Sequence, residues 1–71
     1  MQLVSIYRYR TFDPAAGVRL FAARMGTREA IERIDEQIIR EDVLEISPDD
    51  LSATGWTVDG YWHLNKPPYW V

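Results

Sequence analysis

Two stretches of the chain, Leu3 to Phe12 and Val18 to Met25, are rich in aromatic and branched residues and suit β-strands. Between them, Asp13-Pro14-Ala15-Ala16-Gly17 carries turn chemistry: an Asp able to bond nearby amides, a Pro that pre-sets φ, and a Gly that tolerates positive φ. With Pro14 to Gly17 as the loop, Asp13 faces Val18, and the two-residue period sorts both strands. One face then carries Leu3, Tyr7, Tyr9, Val18, Leu20 and Ala22 and reads as core. The other mixes Val4, Ile6, Phe12, Phe21, Ala23 and Met25 with Arg8, Arg10 and Arg19, and is neither plainly wet nor plainly dry.

After Gly26 the period changes. Thr27 is a suitable N-cap, Glu29 sits in the first turn, and Ala30, Ile31, Ile34 and Ile38 recur at helical spacing. The spacing predicts a long amphipathic helix reaching Arg40 or Asp42, with Glu29–Arg33 and Glu36–Arg40 as favourable i,i+4 pairs and Ile39 off the apolar stripe. Val43 to Ile46 suits either a short strand or a helical continuation. Ser47-Pro48-Asp49-Asp50 opens a helical turn. Trp56-Thr57-Val58 and Tyr61-Trp62-His63, joined by Asp59-Gly60, predict a second hairpin with a type I′ turn, the alternative being one strand from Val58 to Leu64 that joins the first sheet.

The expected architecture is an α+β fold: an antiparallel β-hairpin, one long amphipathic helix, a helical turn and a second β-hairpin. It forms a single small domain over residues 1–71, with an extended tail over 65–71 imposed by Pro67 and Pro68. The expected core is Leu3, Tyr7, Leu20, Ala22, Ile31, Ile34, Ile38, Leu51, Trp56 and Trp62.

A chain of 71 residues without cysteine has neither disulfides nor thiolate metal sites to reinforce it, which suits a reducing compartment. Nothing near the N-terminus resembles a signal peptide, and no run is long enough for a membrane span, so the expected location is cytoplasmic. His63 is the sole histidine, no carboxylate spacing singles out an acid and a base, and the glycines are too scattered to cradle a phosphate. The expectation is no enzyme, no cofactor and no metal.

Charge is uneven. The first 28 residues hold five arginines against Asp13 alone, whereas Arg33, Arg40 and Lys66 stand against ten carboxylates in the remainder. That asymmetry suits either an anion-binding face or two halves that attract each other. On the first alternative, Arg8, Arg10 and Arg19 beside Phe12 and Phe21 would supply phosphate contacts and aromatic platforms to nucleic acid. Tyr7-Arg8-Tyr9-Arg10, Asp13-Pro14, Gly17 and Gly26-Thr27-Arg28-Glu29-Ala30 together resemble the arm-type DNA-binding module of phage-type integrases, over about residues 6–36. The pattern is equally similar to small uncharacterised bacterial proteins. The resemblance implies a strand pair followed by a helix, and DNA as partner.

The surplus of apolar residues on both hairpin faces points instead to a protein-interaction module, self-associating as a homodimer or meeting another protein. Phe21, Met25, Ile39, Tyr69 and Trp70 are its candidate interface residues. Protein interaction is the expected function and nucleic-acid binding the alternative.

Overall fold

The computed structural model describes residues 2–66. Asp13 organises the first turn: its Oδ1 accepts a bond from Ala15 N at 3.0 Å and its carbonyl accepts one from Gly17 N at 2.8 Å. Gly17 takes the left-handed conformation, φ +69°, that closes such a loop. Strands β1 (Val4–Asp13) and β2 (Val18–Phe21) pair antiparallel with Asp13 opposite Val18.

The long helix does not form. Thr27 caps helix α1 by accepting from Ala30 N at 3.1 Å, but α1 spans only Arg28–Arg33. Asp35 adopts φ 58°, Glu36 N reaches back to the Ile31 carbonyl at 3.4 Å, and Asp35 N bonds the Glu32 carbonyl at 3.1 Å. This is a Schellman stop with aspartate in the left-handed position. From Gln37 to Ile46 the chain is strand β3, antiparallel to β1. Branched Ile38, Ile39, Val43 and Ile46 suit a pleated surface, and β1 offers a whole edge of backbone partners. The isoleucine stripe therefore divides: Ile31 is buried in α1, Ile34 is 43% exposed beyond it, and Ile38 stands opposite Tyr9 in the sheet.

The second hairpin is also absent. A type I′ turn needs positive φ at both central residues, yet only Gly60 (φ 81°) has it and Asp59 does not. Gly60 instead starts helix α2 (Tyr61–Asn65), which takes in Asn65, expected in the extended tail. Ser47 caps a 3-10 turn over Pro48–Asp50 by accepting from Asp49 N at 3.2 Å. The Tyr61 hydroxyl donates to Asp50 Oδ2 at 3.1 Å, tying α2 to this turn. Partial burial, and then the bond to Asp50, raise the Tyr61 pKa above its ordinary 10.0.

The result is a three-stranded antiparallel sheet in the order β2-β1-β3, accompanied by short helices. On one face Ile6, Met25, Ile46 and Trp62 form the main apolar cluster, with Leu44, Leu51 and Tyr61 packed against it. Tyr9, on the opposite face, is 5% exposed and meets the Trp56 ring at 5.5 Å between centroids. Burial on both faces is why alternation misplaces much of the expected core. Ile31 and Trp62 are buried as expected, but Leu3 is 61% and Leu20 48% exposed, while Tyr7, Ala22, Ile38, Leu51 and Trp56 are half-buried.

Met25-Gly26-Thr27 joins the layers. Gly26 exchanges both backbone bonds with Tyr7, at 2.8 and 3.1 Å, while Thr27 N bonds Gly55 O at 3.0 Å and Thr57 N bonds Met25 O at 2.9 Å. Trp56 covers Gly26 so closely that a Cβ there would stand 2.5 Å from the indole. Gly26→Ala should accordingly lower unfolding free energy by about 1–3 kcal/mol in denaturant titrations. Ile31→Ala should cost about 2–5 kcal/mol by the same measurement, whereas half-exposed Ile34→Ala should cost under about 1 kcal/mol.

Candidate interaction surface

Pairing between β1 and β3 ends at Arg10 and Gln37, so Thr11 to Asp13 pair with β2 alone. The distal hairpin consequently stands clear of the third strand, and all four residues of β2 are exposed. Cross-strand neighbours share a face. Arg10 lies opposite Phe21 and Phe12 opposite Arg19, which places two rings and two guanidinium groups in a checkerboard on one side. The Arg10 guanidinium carbon stands 5.1 Å from the Phe21 centroid, and Phe12 and Phe21 are each 51% exposed. Leu20 opposite Thr11 and Val18 opposite Asp13 occupy the other side, both still half exposed.

Arg8 shares the aromatic face but is committed inward. Its Nη1 reaches Asp42 Oδ2 at 3.2 Å, and its guanidinium carbon lies 4.1 Å from the Phe21 ring and 5.1 Å from the Trp62 ring. A bulge makes this pairing available. Tyr7 faces Val43 while Arg8 faces Ile39, so Arg40, Glu41 and Asp42 have no counterpart on β1 and the β3 backbone swings Asp42 inward. Of the three arginines expected to meet phosphate, Arg10 and Arg19 are therefore exposed and Arg8 is engaged within the fold.

The expected protein-interface residues separate similarly. Phe21 is exposed and Ile39 is half-buried opposite Arg8. Met25 is no surface residue: at 1% exposure it belongs to the apolar cluster, because the chain past β2 keeps to the sheet edge and turns this side chain under α2. Tyr69 and Trp70 lie outside the described residues. Val18 and Leu20, counted as core from their alternation, are surface residues because no element among the described residues covers that face so far along the hairpin.

The outer edge of this chain segment follows one alternation. Ala22 N bonds inward to Tyr9 O at 2.9 Å and Gly26 bonds inward to Tyr7, whereas Ala23 O accepts outward from Gly60 N at 2.7 Å and Met25 O accepts outward from Thr57 N. Even-numbered positions thus face β1 and odd-numbered ones face away. Residues Thr57 to Gly60 cover the outward groups at 23 and 25. Among the described residues, none covers those of Arg19 and Phe21.

His63 is exposed on α2 rather than set in a strand. Among the described residues no group of three His, Cys, Asp or Glu side chains is placed to hold a metal ion, and no helix is long and apolar enough to cross a membrane. An open depression of about 500 Å³ is lined in part by Arg24, Asp50 and Trp56, and Arg24 lies 3.8 Å over the Trp56 ring and donates from Nε to the Tyr9 hydroxyl at 3.1 Å. Comparison with protein-family models, curated proteins and solved structures finds no match to this chain.

The bulge generates a direct test. Asp42→Ala leaves a half-buried guanidinium supported by rings alone and should lower stability by about 1–3 kcal/mol, read from a denaturation midpoint. Arg8 side-chain NMR signals should broaden in the same variant.

Proposed function

We propose that the chain is a non-catalytic protein-interaction module that works through its projecting β1–β2 hairpin and counts a second copy of itself among its partners. The observation that carries this reading is the exposure of Phe12 and Phe21 on one side of the hairpin and Val18 and Leu20 on the other. Completing the burial of such half-exposed side chains is worth about 1 kcal/mol each, and a protein partner can cover both sides. Nucleic acid would use only the side that bears arginine. The reading places the protein in the cytoplasm, which a cysteine-free chain suits.

A second reading rests on the checkerboard of Arg10, Phe12, Arg19 and Phe21, which supports nucleic acid held by stacked bases and phosphate contacts. The resemblance to arm-type DNA-binding modules belongs with this alternative. Engagement of Arg8 by Asp42 removes one cation from it, and a net charge of −3 opposes a polyanion.

One NMR experiment separates the two. On concentrating the labelled protein, amide shifts should appear at Phe12 and Val18 to Phe21, and a Leu20→Asp/Phe21→Asp variant should show none while keeping the shifts of α1 and α2. Spectra independent of concentration would defeat self-association. Salt-sensitive shifts at Arg10, Phe12, Arg19 and Phe21 on adding mixed-sequence duplex DNA would transfer the function to the second reading.

A further inference from the structure

Resting on the self-association reading above, we infer that the second copy docks by antiparallel pairing of β2 with β2 across a two-fold axis at Leu20, extending the sheet through both molecules. The backbone supplies the first reason. Outward positions 23 and 25 are already bonded by Gly60 and Thr57, and the same edge continues into Arg19 and Phe21, whose outward groups meet no described residue. Paired about Leu20, Arg19 of one copy faces the partner's Phe21, and each such pair exchanges two backbone bonds. The edge satisfies itself.

The side chains supply the second reason. A two-fold axis perpendicular to the sheet keeps each face continuous, so only registers that pair even with even and odd with odd positions are allowed. Centring on Arg19 would set two like charges directly opposite, which is destabilising. Centring on Phe21 would set the arginine against Ala23. Centring on Leu20 sets Arg19 on the partner's Phe21, the same guanidinium–ring alternation that already runs Phe12 to Arg19 and Arg10 to Phe21 within one chain. The row Phe12, Arg19, the partner's Phe21 and the partner's Arg10 then crosses the interface without placing one cation beside another. On the opposite face the two Leu20 side chains, each 48% exposed alone, cover one another.

Four residues of strand make a small contact, so the dimer is weak and reversible. A short edge bearing a central arginine resists most other pairings, as edge strands commonly do, and that selectivity leaves the Leu20 register as the one it accepts.

The chain has no cysteine, so one introduced thiol reports the axis directly. In Leu20→Cys the two introduced residues would face each other at the strand spacing a disulfide tolerates, and a covalent dimer should form several-fold faster than in Val18→Cys under the same glutathione buffer. The two Val18 positions would lie roughly 13 Å apart along the strands, beyond reach of one bond. In Arg19→Pro the lost N–H points outward, so the β1–β2 ladder survives while two intermolecular bonds vanish. Sedimentation should find that variant monomeric at concentrations where the unmodified chain and Arg19→Ala both gain mass, with its hairpin amide signals retained. If Arg19→Pro unfolds, the cross-linking comparison still decides. Equal cross-linking of the two cysteine variants, with the unmodified chain still self-associating, would overturn the β2 edge and leave self-association standing on another surface. An unmodified chain that stays monomeric up to millimolar concentration would overturn both.

Discussion

The close approach of Trp56 to Gly26 holds this small fold together. A residue without a side chain lets an indole lie on the backbone, and the same residue exchanges two bonds with Tyr7 on its other side. Its neighbours extend the junction. Met25 enters the apolar cluster and its amide donates to the Thr57 hydroxyl at 2.9 Å, while Thr27 caps α1. Sheet, first helix and C-terminal segment thus meet within three residues, so the core needs neither disulfides nor a long helix.

Charge follows from the same geometry. The basic beginning and the acidic remainder of the chain meet where the β3 bulge carries Asp42 to Arg8, and the two rings above that guanidinium keep it from open water. Arg24 is similarly occupied by Trp56 and Tyr9. Part of the uneven charge is therefore attraction within the molecule, while Arg10 and Arg19 of the distal hairpin stay exposed, as do Arg28, Arg33 and Arg40 elsewhere.

That hairpin owes its exposure to a mismatch in lengths. β1 outruns its pairing with β3 at Arg10, and β2 is too short to hide what remains. Its outer edge is bonded as far as Ala23 and, among the described residues, open beyond it, and that part carries an arginine, a leucine and a phenylalanine in succession. Backbone groups and half-covered side chains so close together are what a partner strand would complete.

Local chemistry determined the first turn, its register, the Thr27 cap and the Ser47 turn, because each depends on residues within a few positions of one another. The grouping of Arg10, Phe12, Arg19 and Phe21 was legible for the same reason, since strand alternation follows from the turn. Tertiary structure decided the rest. Ile31, Ile34 and Ile38 fit a helical period as well as they fit helix, stop and strand, and pairing with β1 settled which applied. Asp59-Gly60 suits a hairpin, yet Trp56 and Trp62 are drawn to opposite sides of the sheet, Trp56 beside Tyr9 and Trp62 beside Ile6, so Gly60 opens a helix. Met25, expected at an interface, is buried and Leu20, expected in the core, is exposed, because among the described residues the sheet is covered on both sides near its centre and on neither at the hairpin's end. Burial depends on what arrives from distant parts of the chain, and a two-residue period carries no record of it.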